Sequence, residues 1–197
     1  MSVKIAPSDI LCELIEVLIH NILYARKVYP DTIFSRRRKY GIPVFQCIQP
    51  DVNNYINEAL KAVFFHTKKN QLKNIFLCFQ SGGSVSEKYV FDVVDLKSID
   101  ESDPLLVNLE EYMRDFILRL HNTLIYLDNL VDDSTFCIRL QVTEYSNLEF
   151  NQNPKYEDFP WVKLNEMYDI PDSSEIVPVH SLNSNMFKLQ IYIEKSS

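Results

Sequence analysis

The chain has 197 residues, of which 46% are hydrophobic and 24% charged, values typical of one globular domain with a substantial core. Its net charge of -7 and pI near 5.1 argue against direct DNA binding as its main activity, because such binding needs a basic face that contacts phosphates. The start of the chain lacks the apolar stretch of a signal peptide, and the apolar run over 10–24 is interrupted and too short to cross a bilayer, so we expect a soluble intracellular protein.

An amphipathic helix is predicted near the start of the chain. Apolar residues recur at helical spacing over 10–23, and Ser8, which precedes them, is the predicted N-cap. Glu13, Glu16 and His20 share the opposite face of this helix. We therefore expect His20 to be solvated or hydrogen-bonded rather than a metal ligand.

A basic run from Arg36 to Lys39 follows a segment over 28–34 that is predicted to be a loop. Two interpretations of the run stay open: a solvated loop, or a contact with a partner or a phosphate, which four cations alone would make salt-sensitive. A short strand is predicted over 44–48, and Pro50 is typical of a helix start. The apolar face of this second helix carries Val52, Tyr55, Ile56, Leu60 and Val63.

The middle of the chain is predicted to form a β-hairpin and a long helix. Two apolar runs, 75–79 and 89–94, flank Gly82-Gly83, which is typical of a hairpin loop. Asp103-Pro104 favours a helix start, and the helix is expected to end near Asp128. Its apolar stripe carries Leu105, Leu109, Tyr112, Phe116, Leu120 and Leu127.

The last third of the chain alternates between regular and irregular sequence. Apolar and polar residues alternate over 136–143, which predicts an antiparallel strand with one buried face. Residues 146–174 have no clear period and hold the only tryptophan, Trp161; irregular connections of such length are usually functional. Trp161 either anchors this segment to the core or offers a platform for a ligand, and the two roles can coincide. Extended segments over 175–179 and 187–193 follow.

This order of elements predicts an α+β fold, in which the helices pack on one face of an antiparallel sheet. The sequence contains no glycine-rich nucleotide loop and no G-x-S-x-G motif, so we expect no enzymatic activity, no catalytic residues and no cofactor. The histidines and cysteines are scattered, without metal-ligand spacing, so we expect no metal site and free thiols in a reducing compartment. These residues are His20, His66, His121, His180, Cys12, Cys47, Cys78 and Cys137.

Several long stretches together resemble the HORMA domain family, and within it the accessory, non-catalytic subunit of translesion DNA polymerase zeta. They are LCELIEVLIHNILYARKVYP, IFSRRRKYGIPV, EYMRDFILRL, DFPW, and IVPV followed by FKLQIYIE. The resemblance covers nearly the whole chain and implies a single HORMA domain over 1–197. It implies three main helices on an antiparallel sheet, with a core over about 8–145 and a C-terminal "safety belt" over about 146–197.

The resemblance also implies a peptide site. In this family the belt crosses the domain and a partner peptide lies beneath it, extending the sheet through main-chain hydrogen bonds. The peptide is proline-rich, and proline rings suit an aromatic groove and arrive pre-ordered. By similarity, Tyr29, Tyr55 and Trp161 are expected to form this groove.

Two further surfaces are implied by similarity. A second partner, the C-terminal domain of the Y-family scaffold polymerase, is expected to bind at Ile176, Gln190 and Tyr192; the alternation of the last strand independently turns Gln190 and Tyr192 outward. Dimerisation through the long helix is expected to use Arg36 and Arg114. The sequence departs from the family at Leu124 and Ile125, which are bulkier and more apolar.

The resemblance therefore implies an adaptor that clamps a proline-rich peptide of the polymerase zeta catalytic subunit and bridges to the scaffold polymerase in translesion DNA synthesis and repair. It also allows homodimers, other HORMA proteins, end-protection (shieldin-type) and checkpoint proteins, and an AAA+ ATPase that remodels HORMA domains. The alternative is a mitotic checkpoint HORMA protein that binds cell-cycle effectors. A nuclear protein, with a possible cytoplasmic pool, is expected. Neither direct DNA binding, whose candidate would be the run over 36–39, nor membrane binding is expected.

Overall fold

The order of helices and strands agrees closely with the order predicted from the sequence. The computed structural model describes residues 6–96, 106–143, 150, 152–153, 161–162, 174–184 and 186–196. The helices are α1 (Pro7–Ala25), α2 (Pro50–Lys68) and α3 (Leu106–Ile125). The strands are β1 (Phe34–Lys39), β2 (Ile42–Cys47), β3 (Leu72–Ser81), β4 (Ser84–Leu96), β5 (Thr135–Val142), β6 (Glu175–Asn183) and β7 (Phe187–Lys195).

Five strands form one antiparallel sheet in the order β5-β3-β4-β7-β6, and among the described strands β1 pairs with β2 alone. The α+β prediction is confirmed. The C-terminal hairpin β6–β7 joins the sheet through β4, although β5 precedes it in the chain. As a result β5 and β6, which are consecutive in sequence, lie at opposite edges of the sheet.

Helix α1 occupies the centre of the core because apolar side chains cover most of its circumference. It packs against α2, α3 and β2. Its fully buried residues include Leu11, Leu14, Ile15, Leu18 and Ile22. Burial of each such side chain contributes roughly 1.5–3 kcal/mol, so this helix is a major contributor to the stability of the core. It begins at Pro7 with Ala6 as N-cap, and the Asp9 carboxylate accepts the Ala6 N–H at 3.1 Å, so the prediction of Ser8 as N-cap was wrong.

The basic run over 36–39 is a strand, not a loop. β1 and β2 form a hairpin whose turn, Tyr40-Gly41, has positive φ at both residues, 49° and 76°. Two positive φ values are the geometry of a type I′ turn, which matches the twist of paired strands. The sequence of the basic run does not indicate a strand, because three consecutive arginines show no alternation of polar and apolar residues.

The hairpin is fastened to α1 by two side chains that cap the outer edge of β2. The Cys47 N–H donates to His20 Nδ1 at 3.3 Å, and the Phe45 N–H donates to Asn21 Oδ1 at 3.1 Å. His20 is only 4% exposed, so its predicted place on the solvated face was wrong, while its hydrogen bond was expected. His121 of α3 donates Nε2–H to the same Asn21 oxygen at 3.1 Å, since an amide oxygen can only accept.

We expect His20 to make the fold sensitive to acid. Burial lowers the pKa of His20 to about 4, below the value of about 6.5 in an unfolded chain. The unfolded state therefore takes up a proton first, and stability is lost as the pH falls from about 6.5 towards 4, by on the order of 3 kcal/mol. Urea unfolding at a series of pH values measures this loss.

His20→Asn is the matched control for the pH experiment. The asparagine oxygen can still accept the Cys47 N–H, but the side chain does not titrate in this range. The variant should unfold with a distinctly flatter dependence on pH. An unchanged pH profile would show that other groups, such as His121, whose pKa burial also lowers, cause the acid sensitivity.

Most of the remaining predictions that concern described residues agree with the structure. The β3–β4 loop lies at Gly82-Gly83, with φ of 59° and 87°, and β7 buries Phe187, Leu189, Ile191 and Ile193 as expected. α3 ends at Ile125, earlier than predicted, and Tyr112, predicted in its apolar stripe, is 46% exposed. The predicted helix start at Asp103-Pro104, with Leu105, lies outside the described residues, as does most of the irregular segment over 146–174.

Candidate functional site

The outer edge of β5 is open in the described part of the chain. β5 pairs with β3 on one side, and no described strand lies on the other. The Ile138 N–H points to this outer edge, where it donates to the hydroxyl of Tyr55 at 2.9 Å. Because N–H groups alternate in direction along a strand, those of Phe136 and Leu140 point the same way. The edge therefore offers main-chain groups on which a further strand could pair.

An aromatic cluster stands beside this edge: Tyr29, Tyr55 and Phe136. The Phe136 ring meets the Tyr55 ring edge-on at 5.5 Å between centroids and the Tyr29 ring at 6.1 Å. All three are half-buried and pack on the main core. Helix α2 positions Tyr55, and the segment after α1 positions Tyr29. The structure thus brings together two of the three residues predicted to form the groove.

Phe136 was not among the predicted site residues. The alternation of β5 places it with Ile138 on the inward stripe, which favoured a role in the core alone. It lies near the beginning of an edge strand, however, where an inward residue is only half-buried and can also face a ligand. Its place between two aromatic rings is a contact over long sequence separation, which periodicity cannot detect.

The two tyrosines of the cluster are uncharged at neutral pH. Burial raises the pKa of Tyr29, with a further increase from Cys47. Burial also raises the pKa of Tyr55, although the hydrogen bond from the Ile138 N–H opposes the rise. The cluster therefore offers apolar ring faces and hydroxyl groups to a ligand, rather than charge.

Trp161 is described together with Val162. The Trp161 side chain is half-buried and packs against the main core cluster, whereas Val162 is 82% exposed. An anchoring contact of the indole with the core is thus present. Its predicted place in the peptide groove stays a prediction, because most of its neighbours in the chain lie outside the described residues.

The predicted second-partner residues lie on the C-terminal hairpin. Ile176 on β6 is 61% exposed, Gln190 on β7 is exposed and Tyr192 is half-buried. Ile176 is opposite Glu194, and Tyr192 is opposite Pro178, so all three predicted residues belong to the face of the hairpin that points away from the core. The structure brings them to one surface, and their role stays a prediction.

Of the two predicted dimer residues, Arg36 is exposed on β1 and Arg114 is half-buried on α3. Arg114 donates Nε–H to the carbonyl of Tyr40 at 2.8 Å, which holds the β1–β2 turn against α3. An added Cβ at Gly41 would lie 3.4 Å from the Arg114 guanidinium. The two residues at which the sequence departs from the family differ in exposure: Leu124 is buried and Ile125 is 75% exposed. The predicted dimer remains untested.

Three further observations concern the described residues. No group of three or more His, Cys, Asp or Glu side chains among them lies close enough to hold a metal ion. None of the helices built from these residues is both long and apolar enough to cross a membrane. All four cysteines are free thiols, two of them, Cys47 and Cys78, buried.

Sequence comparison gives relatives that match along most of the chain. The HORMA domain model matches residues 8–111. The human mitotic spindle assembly checkpoint protein MAD2B is 32% identical over 95% of this chain and 90% of its own length. DNA polymerase zeta subunit 2 of Drosophila melanogaster is 28% identical over 79% of this chain and 80% of its own length.

Comparison with solved structures shows the same fold. A chain of the Mitotic Checkpoint Complex superposes with a TM-score of 0.79 at 20% identity, covering 96% of this chain and 98% of that chain. HTP-2 of C. elegans bound to the HIM-3 closure motif gives a TM-score of 0.72 at 16% identity, covering 96% and 90%.

Proposed function

The chain belongs to the HORMA domain family, and we propose that it is a non-catalytic adaptor that holds a partner peptide along the outer edge of β5. One observation carries the proposal: the hairpin β6–β7 pairs with β4, and no strand of the described residues lies on the outer edge of β5 beside the aromatic cluster. A strand added to that edge would gain main-chain hydrogen bonds along its length.

The connection between β5 and β6 supplies the clamp in this proposal. β5 and β6 are at opposite edges of a five-stranded sheet, so the chain between them has to cross four strand spacings, or roughly 19 Å. We propose that this connection, part of the belt over 146–197, passes over a peptide on the β5 edge. The peptide would then be held by pairing on one side and by the belt above.

The cluster beside the edge supports a proline-containing peptide. Tyr29, Tyr55 and Phe136 provide neutral aromatic faces against which proline rings can pack, and such a peptide loses little entropy on binding. Trp161, anchored on the core, is proposed as the belt's contribution to the groove.

The relative named as a DNA polymerase zeta subunit supports a specific partner. We propose a proline-rich segment of the catalytic subunit of DNA polymerase zeta. The face that carries Ile176, Gln190 and Tyr192 is proposed to bind the C-terminal domain of the Y-family scaffold polymerase. The adaptor would then bridge two polymerases in translesion synthesis and DNA repair, in the nucleus.

The runner-up function is that of a mitotic checkpoint protein, which the name of the human relative favours. The same clamp would then hold a peptide of a cell-cycle effector. Affinity capture of the full chain from cells, followed by mass spectrometry, separates the two functions. Recovery of DNA repair polymerases supports the first, and recovery of checkpoint effectors without polymerases supports the second.

The groove is tested by titration calorimetry with a proline-rich peptide. Trp161→Ala and Tyr55→Ala should each weaken binding by about 2 kcal/mol or more, on the order of 30-fold, because aromatic anchors carry much of the energy of a peptide interface. Tyr126→Ala is the matched control, since Tyr126 is 87% exposed and outside the cluster. Unchanged affinity in both groove variants, with cooperative unfolding retained, would refute the groove.

A further inference from the structure

Strand β1 carries three arginines whose charge is not compensated. Arg36, Arg37 and Arg38 are all exposed, and no ion pair or hydrogen bond of their side chains exists within the described structure. The next cation, Lys39, differs because it pairs with Glu13 at 3.0 Å. Three consecutive unpaired cations are notable in a chain whose net charge is -7. Arg36 and Arg38 lie on one face of the strand and Arg37 on the other, so β1 is positive on both faces and can attract an acidic partner.

No strand of the described residues lies along one side of the backbone that carries these side chains. The N–H groups of Phe45 and Cys47 on β2 point to α1, where Asn21 and His20 accept them. In an antiparallel pair, the residue opposite such a position also turns its main-chain groups away from the partner strand. Arg36 is opposite Phe45, so the Arg36 N–H and C=O point away from β2, and those of Arg38 do the same by alternation.

β1 is therefore a cationic edge strand, and no strand of the described residues pairs with its outer edge. Charged residues on an edge strand commonly prevent unwanted strand pairing, and the arginines of β1 disfavour pairing with a second copy of the same strand. A second copy of β1 would place arginines against arginines, which is repulsive. A strand with carboxylates would instead gain Arg–carboxylate contacts in addition to main-chain hydrogen bonds, and the fork geometry of the guanidinium favours bidentate pairing.

We propose that the outer edge of β1 binds an extended, acidic peptide segment of a partner protein by strand addition. This surface is separate from the proposed peptide clamp, since β1 belongs to a different sheet from β5. A nucleic acid is the less favoured occupant, because phosphates would use the arginine side chains but leave the main-chain edge unused. The specificity of the site would lie in the combination of an extended backbone and negative charge.

The test uses the full chain and two synthetic peptides, one alternating valine and glutamate, the other valine and glutamine. In an NMR titration at physiological salt, the acidic peptide should shift the amide signals of β1 and bind at least about tenfold more tightly than the neutral one. R36Q/R37Q/R38Q should remove that preference. The control K61Q/K68Q/K73Q removes three exposed cations elsewhere and should keep it.

A second pair of variants separates strand addition from simple charge attraction. R36Q and R36P lose the same charge, but only R36P also loses the outward N–H, which the β1–β2 ladder does not use. R36P should bind the acidic peptide several-fold more weakly than R36Q. Equal binding of both peptides, an unaffected triple variant, or equal affinity of R36P and R36Q would overturn the proposal.

Two other occupants give distinct results that would also overturn it. A single-stranded oligonucleotide that binds as tightly as the acidic peptide, with shifts confined to arginine side chains, would make this a phosphate surface. Sedimentation that shows a dimer of the parent chain, lost in R36Q/R37Q/R38Q, would make it a contact between copies. Because Arg36 is assigned to the peptide rather than to the dimer expected by similarity, R36Q/R37Q/R38Q should keep the oligomeric state of the parent chain, and oligonucleotide binding should be weak.

Discussion

Arg26→Ala is expected to lower the free energy of unfolding by about 3–5 kcal/mol, because it leaves a carboxylate buried without its partner. Arg26 and Glu87 form a two-pronged ion pair, with N···O distances of 2.8 and 2.9 Å, and their side chains are only 4% and 3% exposed. Arg26 also donates to the carbonyl of Asp128 at 2.7 Å. One guanidinium thus joins the end of α1, strand β4 and the segment after α3.

The control for this prediction removes both charges at once. Replacing a buried ion pair by apolar residues of similar size is often close to neutral, whereas breaking it is costly. Arg26→Met combined with Glu87→Leu should therefore recover most of the stability lost in Arg26→Ala, as measured by urea unfolding at neutral pH. A double variant as unstable as the single one would mean that the hydrogen bond to Asp128, rather than the unpaired charge, dominates.

The elements that the sequence predicted well are those with one buried face. The apolar stripe of α2 and the alternation of β7 follow directly from burial against a single core, so local periodicity is enough to locate them. The β3–β4 loop was found for another local reason, since two adjacent glycines readily adopt the positive φ of the turn.

The features that were missed depend on distant residues. His20 is surrounded by acidic and apolar neighbours in sequence, and only the hairpin β1–β2 explains its burial. The Arg26–Glu87 pair joins residues from α1 and β4, and Arg114 holds a turn of β1–β2; nothing local to either arginine reveals its partner. Phe136 gains its position beside two tyrosines only when α2 packs on β5.

The choice of sheet edge for the C-terminal hairpin also lies beyond the sequence pattern. The alternation of β7 predicts which of its faces is buried. It does not predict its neighbour, because β7 could pair antiparallel with β4 or with β5, each of which has an apolar inner face. The structure selects β4, so that no described strand lies on the outer edge of β5. The proposed function depends on this choice more than on any single side chain.

A disulfide between β4 and β7 should therefore abolish capture of a peptide that is embedded in a longer partner. Such a peptide has no free end to thread beneath a closed belt, so we expect the C-terminal hairpin to leave β4 before it binds. Asp92 and Gln190 are direct partners on the outer face, where the spacing of about 5.5 Å between Cα atoms suits a disulfide. Oxidised D92C/Q190C should show no binding, and reduction should restore it.

The matched control places a disulfide between two strands that are not expected to separate during peptide binding. Asn74 and Gln141 are direct partners on β3 and β5, on the same outer face, and N74C/Q141C should bind the embedded peptide in both redox states. Peptide mapping by mass spectrometry verifies each disulfide. Full binding by oxidised D92C/Q190C would show that the hairpin stays on β4 during capture. The partner would then have to reach the β5 edge from the side, and the connection from β5 to β6 would not act as a closing belt.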